Sequence, residues 1–229
     1  MLETLHKKLK SWERSIRKSF GDDISTPQGR RGAWWHFQIF DHAFLRVLWT
    51  NFYKVADGVY RSNHPSPKRL EKYHEMGIRT VLNLRGAEQQ SHWLFEKEAC
   101  EKLGLDLVIC KIYARRPATR EEMLHLIDTL TTLPKPFVLH CKSGADRAGL
   151  ASAIYQIAVE KKSVAEAKKQ LSFRYLHIKS SKTGVCDYIL DLYEERLKHG
   201  HIELRDWFDT EYDGQAVRNG FDDGRRIPL

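Results

Sequence analysis

The chain has 229 residues, 41% hydrophobic and 30% charged, with six Trp and a formal net charge of +8. This length supports one domain with a substantial core, and the positive balance points to anionic partners such as acidic lipid surfaces, phosphorylated substrates or nucleic acid. Its four cysteines (Cys100, Cys110, Cys141, Cys186) have neither metal-ligand spacing nor a dense disulfide pattern, no run of about 18 apolar residues offers a simple membrane span, and Lys and Arg interrupt the N-terminus too often for a signal peptide.

Residues 1–20 form a unit of their own. Leu2, Leu5, Leu9, Trp12, Ile16 and Phe20 recur at spacings of three and four, which places them on one helix face. Lys7, Lys8, Lys10, Arg14, Arg17 and Lys18 make the remainder basic, against Glu3 and Glu13. The pattern has two readings: a helix packed on the main domain or a partner chain, and an interfacial helix on an acidic membrane surface. Gly21-Asp22-Asp23 closes it, and residues 21–32 read as a linker. Residues 34–49 are aromatic-dense and read as a helix. Asp41, His42 and Arg46 make that helix a poor membrane span, so packing on the sheet is expected first and an apolar patch touching lipid second. Residues 21–54 are thus linker and aromatic-rich helix.

From Val55 strands and helices alternate. Strands are expected at 59–62, 80–84, 107–112 and 137–140. Helices are expected at 65–77 (Pro67 near its start), 93–103 (ending at Gly104), 120–133 (stopped by Pro134), 147–160, 163–173 and 184–198. This alternation implies an α/β domain over residues 55–200, with a central, mostly parallel sheet of four to five strands flanked by helices. An N-terminal helical extension precedes it. A polar tail, 201–229, follows and is anchored on the domain by Trp207, Phe208 and Tyr212.

The segment His140-Cys141-Lys142-Ser143-Gly144-Ala145-Asp146-Arg147-Ala148-Gly149 carries the chemistry. Phe137-Val138-Leu139 leads in as a strand, and the run from Leu150 to Tyr155 leads out as a helix. Strand, tight loop and helix start form an anion cradle, because successive backbone N–H groups and the helix dipole point into the loop. Ser143, Gly144 and Ala145 let the backbone approach a phosphate. Lys142 adds a charge, and Arg147 can clamp two oxygens at once. Cys141 at the loop entrance is placed as a nucleophile, so the segment points to phosphate-ester hydrolysis through a cysteinyl-phosphate intermediate.

His-Cys-(five residues)-Arg after a strand resembles the active-site loop of the protein tyrosine phosphatase superfamily. Gly58-Val59-Tyr60-Arg61-Ser62 and the run from Gly77 to Arg85 resemble the first strands of its compact dual-specificity-like members, so the resemblance covers residues 55–200. It implies the phosphotyrosine phosphatase fold, no metal or cofactor, and tyrosine or dual-specificity activity as the first expectation. In most members the general acid is an Asp on a separate upstream loop. Here that loop is Tyr113-Ala114-Arg115-Arg116-Pro117-Ala118-Thr119-Arg120, without an Asp. Asp146 is the candidate in its place, with Glu121, Glu122 and Asp106 as fallbacks. The form Cys-x-x-Gly-x-Asp-Arg resembles myotubularin-like lipid phosphatases and bacterial phosphatases active on phosphoinositides, in which the loop Asp is the proposed acid.

Ala148 stands where relatives carry Ser or Thr, which implies slow turnover or water activation by Asp146. Lys142, Arg115 and Arg116 make a cationic rim that favours multiply charged substrates. His140 is expected to organise the loop, and Arg85 with Glu88 to form a supporting pair beneath it. The expected partners are a phosphorylated protein or, as the alternative, a phosphoinositide or other phospholipid phosphate, with an acidic membrane surface met through residues 1–20. No nucleic acid is expected, because no aromatic-basic motif of a known type is present. A reducing, cytoplasmic location suits a thiolate nucleophile, with a peripheral position at the inner face of a membrane as the alternative. A phosphate-binding pseudophosphatase is the minor non-enzymatic reading, suggested by Ala148 and the missing loop Asp.

Overall fold

Residues 20–224 of a computed structural model are described, so the amphipathic 1–20 pattern lies outside them except for Phe20. Helix α1 (Pro27–Ile39) starts inside the stretch expected as linker. Thr26 caps it by accepting the Gly29 N–H at 3.0 Å, and Pro27 takes the first helical position, where its missing N–H does no harm. The helix ends ten residues short of the expected 49. Asp41 is drawn inward to bind Arg46, and a short 3-10 turn (Ala43–Val47) replaces the rest. Buried Ala33, His36 and Phe37 face the helix at Ser91–Leu103 rather than the sheet, and the Phe37 and Phe95 rings lie 5.9 Å apart. Trp34, Trp35, Ile39, Phe44, Leu45, Val47 and Leu48 stay exposed, Leu48 at 90%.

Among the described residues five strands frame the domain: β1 (Tyr53–Ala56), β2 (Val59–Ser62), β3 (Thr80–Asn83), β4 (Asp106–Ile109) and β5 (Phe137–His140), in spatial order β1-β2-β5-β3-β4. Only the edge strand β1, absent from the sequence expectation, runs antiparallel. Helices α2 (Pro67–Glu75), α3 (Ser91–Leu103), α4 (Arg120–Thr132) and α5 (Asp146–Ala158) alternate with the strands. Ser62 and Asn83 both pair with His140, and Asn83 with Ile109. The strand ends are therefore level. The segments leaving β2 to β5 emerge along one edge, where parallel sheets bind ligands.

Every residue of β3 and β5 is buried, because helices cover both faces. Val81 and Val138 join a cluster with Leu70, Tyr73 and Cys100 beneath α2 and α3. Leu82, Phe137 and Leu139 alternate to the opposite face and join the larger cluster beneath α4, α5 and α7 (Val185–Arg196). Residues 148–157 of α5 are all buried. The expected helix at 163–173 is shorter. Helix α6 (Val164–Ala167) gives way to 3-10 turns, and Arg61 takes the Gln170 carbonyl at 2.7 Å. The C-terminal tail is helical, with α8 (Leu204–Thr210) and α9 (Gly214–Asp222), and it sinks Trp207, Phe208 and Tyr212 into the larger cluster.

Candidate active site

Cys141 leaves β5 directly and is 1% exposed. The four carbonyls after it all turn outward to fixed donors. His64 N–H binds the Lys142 carbonyl at 3.2 Å, and Asn51 Nδ2 binds that of Ser143 at 3.1 Å. Arg61 Nη2 binds those of Gly144 at 2.6 Å and Ala145 at 3.1 Å. Peptide planes held this way aim their N–H groups at the loop centre, and the Gly144 N–H reaches Cys141 Sγ at 3.2 Å. Gly144 has φ +74, and a Cβ there would lie 2.6 Å from the Asn63 nitrogen, so conformation and space both require glycine. Arg61 is fully buried with its guanidinium 3.8 Å from the Tyr175 ring centroid. Burial pushes its pKa down to about 10, which leaves it charged at neutral pH.

A cavity of about 540 Å³ opens in front of the loop, lined by residues 113–116, Lys142, Ser143, Asp146, Arg147 and Thr183. The segment expected as the acid loop therefore does face the cysteine loop, and it brings arginines instead of a carboxylate. Arg116 stacks on the Tyr113 ring at 3.6 Å and binds Glu122 at 2.8 Å. Glu122 closes a capping box with Thr119 at the start of α4, and Glu121 is exposed beside it; neither lines the cavity. Asp106 begins β4, at the end of the sheet opposite the loop. The fallback acids are thus poorly placed. Arg147, on the first turn of α5, lines the cavity, with Nη1 at 3.3 Å from the Leu84 carbonyl.

Asp146 also lines the cavity, and its Oδ1 lies 2.7 Å from Nδ1 of His177. His177 Nε2 lies 2.6 Å from Asp187 Oδ2. Burial alone would lower the His177 pKa, but hydrogen bonds to Asp146 and Asp187 outweigh it and raise it to about 9. For Asp146, burial acts upward, yet the hydrogen bonds from His177 and Thr183 and the charges of His177 and Arg147 hold it below the usual carboxylate range.

Arg85 does not pair with Glu88, as the sequence suggested. It grips Asp41 with both terminal nitrogens, at 3.0 and 2.6 Å, and Glu88 binds Lys111 at 3.0 Å instead. Asp41 also takes Arg46 at 2.7 Å and Lys142 at 3.5 Å. Burial acts upward on its pKa, but Arg85 and Arg46 outweigh this and hold it far below the usual range. Burial, with Arg85 and Arg46 nearby, lowers the pKa of Lys142.

His140 is fully buried, with Nε2 at 2.6 Å from Glu96 Oε1, and Asn83 donates to the other Glu96 oxygen at 2.6 Å. His64, Glu96 and His140 form a buried trio whose donor atoms lie within 4.8 Å of one another. Two ligands on one tetrahedral zinc stand roughly 3.3 Å apart at usual bond lengths, so the 2.6 Å contact between His140 and Glu96 is too close for shared coordination.

Sequence reasoning missed Arg61, Asn51, Asp41, His177 and Asp187. Arg61 carried a signal, since it lies inside the segment that resembles the family. The other four act across gaps that no local spacing reveals.

The profile of the family described as "DSP-PTPase phosphatase fused to NAD+ Kinase" matches residues 55–184, more than half of the chain. Comparison with curated proteins returned no match. Among solved structures, P. aeruginosa TpbA aligns with a TM-score of 0.50 at 16% identity, over 76% of this chain and 91% of TpbA. A DUF442 protein from Shewanella putrefaciens CN-32 gives 0.51 at 17% identity, over 66% and 94% of the two chains. The Siw14 catalytic core gives 0.50 at 12% identity, over 78% and 95%. These likenesses are of fold. The family match spans the parallel strands, the cysteine loop and Arg147, and the chain belongs to the dual-specificity-type cysteine phosphatases of the protein tyrosine phosphatase superfamily.

Proposed function

We propose that this chain hydrolyses phosphate monoesters through a cysteinyl-phosphate intermediate, with phosphotyrosine or dual-specificity protein substrates as the first class. The observation that carries this reading is the set of four outward-bound carbonyls, which leaves the loop N–H groups and Arg147 around Cys141. The Cys141 thiolate attacks phosphorus, the S–P bond forms and the ester P–O bond breaks. Arg147 and the loop amides hold the oxygens on which charge gathers. Asp146 gives the leaving oxygen a proton. Water then attacks phosphorus, the S–P bond breaks, and the water proton returns to Asp146. Ala148 offers no hydroxyl to the departing thiolate, so this second half is expected to be slow. Tyr113, partly exposed on the cavity wall, offers an aromatic surface to a substrate ring.

Phosphate release from a phosphotyrosine peptide tests the reading. Turnover with an initial burst of leaving group, lost in Cys141→Ser, is expected; turnover that survives the substitution contradicts it.

A second reading, a phospholipid phosphate taken at a bilayer, is favoured by the seven exposed apolar side chains of residues 34–48. Their segment reaches the loop through Asp41 and Lys142. A strong preference for peptide over lipid phosphates would remove it. Liposome binding unchanged on removal of residues 1–19 would remove the role expected for the N-terminal segment.

A further inference from the structure

Asp146 is held ionised in the resting enzyme, yet the reaction asks it for a proton. Its hydrogen-bond partner answers the difficulty. His177 is 2% exposed, and each ring nitrogen faces a carboxylate oxygen, Asp146 at 2.7 Å and Asp187 at 2.6 Å. A neutral imidazole has one N–H and one lone pair, so it satisfies only one such contact. Both are satisfied when the ring carries two protons, or when one carboxyl carries the second. Either way, one proton beyond the neutral ring resides in this buried row. The charged groups around it are Asp146 and Arg147 from α5 and Asp187 from α7. Thr183 binds Asp146 from the preceding turn, and the buried Cys186 thiol lies beside both carboxylates.

We propose that His177 is the proton store of this reaction, passing its Nδ1 proton to Asp146 as Asp146 protonates the leaving oxygen, with Asp187 holding the ring in place. The proposal rests on Asp146 being the acid. As the S–P bond forms and the P–O bond breaks, one proton moves from His177 to Asp146 and one from Asp146 to the alcohol. His177 is left neutral, still donating Nε2–H to Asp187. In the second half, water loses a proton to Asp146 as it attacks phosphorus, and Asp146 returns it to His177. The cycle closes without any further proton source. His177 does not touch substrate and is a positioning residue acting through Asp146.

The test uses the full chain with p-nitrophenyl phosphate, whose leaving group needs little help, and phenyl phosphate, whose leaving group needs a proton. In the unsubstituted enzyme, the alkaline limb of kcat/KM on phenyl phosphate should lie near the His177 pKa of about 9. His177→Gln keeps a hydrogen-bonding side chain but stores no proton. Its alkaline limb should drop into the carboxylate range. At neutral pH its kcat on phenyl phosphate should fall about 10²- to 10³-fold, and on p-nitrophenyl phosphate less than about tenfold. Asp187→Asn should shift the limb in the same direction by less.

His177→Gln with an unchanged limb overturns the proposal. If Asp146→Asn is then still impaired on phenyl phosphate, Asp146 remains the acid without a store; if it is not, the acid assignment fails as well. Loss of both substrates in Cys141→Ser checks the parent reaction separately. Should His177→Gln not fold, the ring of the unsubstituted enzyme can be titrated by NMR. A midpoint near 9 supports the proposal, and one at the ordinary value of about 6.5 overturns it.

Discussion

The two flanks of the cysteine loop are built on opposite charge plans. On the α7 side one cation, His177, sits between two carboxylates, Asp146 and Asp187. On the α1 side one carboxylate, Asp41, sits among three cations, Arg46, Arg85 and Lys142. Both are buried and hydrogen-bonded, but they differ in what pH can do to them. Arginine does not give up its proton in the working range, and Asp41 is held far below that range, so the core of the α1 side, Asp41 with Arg46 and Arg85, keeps one charge state and serves as a clamp. Histidine can give up its proton, so the α7 side has two states and can take part in chemistry. The same kind of contact thus serves position on one side and proton transfer on the other, and the identity of the central residue decides which.

The sharpest contrast comes from removing one carboxylate on each side. Asp146→Asn should lower kcat on poor leaving groups by about 10²- to 10⁴-fold, with good leaving groups much less affected. Asp41→Asn should act on stability instead. It leaves three cations facing one another, and losing one partner of a buried ion pair costs about 3–5 kcal/mol, measurable by urea denaturation. If Asp41→Asn changed leaving-group dependence as strongly as Asp146→Asn, the division of labour would be wrong. Gly144→Ala bears on the loop between them. At φ +74 and against the Asn63 backbone it should destabilise by about 1–3 kcal/mol and reduce phosphate release on every substrate equally.

The alkaline limb of stability separates the flanks without mutation. The His177 pKa is raised, so its contribution is complete below the unfolded value of about 6.5 and is lost as pH rises through about 9. The Asp41 pKa is lowered, so its contribution persists above about 4 and declines only in acid. Next to Asp41, burial and Arg85 push the His92 pKa down to about 3, so that side also loses stability as pH falls from about 6.5. Melting temperature should therefore fall toward alkaline pH from the α7 side, and toward acid from both sides, because Asp146 is also held below the usual carboxylate range. His177→Gln should flatten the alkaline limb, and Asp41→Asn should leave that limb unchanged. The smallest effect belongs to the exposed segment. Leu48→Ser, at 90% exposure, should change stability by less than about 0.5 kcal/mol, and liposome binding only if the bilayer reading holds.

The fold was legible where burial imposed a period. Phe137-Val138-Leu139 has no polar alternation because β5 is covered on both faces, and that continuous run placed the strand correctly. Strand β1 was missed because an edge strand with the partly exposed pattern of Tyr53–Ala56 leaves a weak trace. The helix end at Ile39 was missed because a buried ion pair, not a glycine or proline, stops it. At the site, the anion loop could be read from one contiguous segment, whereas its supports could not. Arg61 and Asn51 hold the loop from 83 and 92 residues upstream, and His177 meets Asp146 from 31 residues downstream. Glu88 was assigned to Arg85 by nearness in sequence, and the better-aligned Asp41 took that partner from 44 residues away.

Trapping the enzyme in mid-turnover tests the central claim most directly. A phosphotyrosine peptide is mixed with the full chain, the reaction is quenched, and the phosphoryl group is located by peptide mapping. The expected result is one phosphoryl group on the Cys141 sulfur, absent in Cys141→Ser. Phosphate release with no phosphoryl group on Cys141, or with the group on another side chain, would contradict the proposed mechanism.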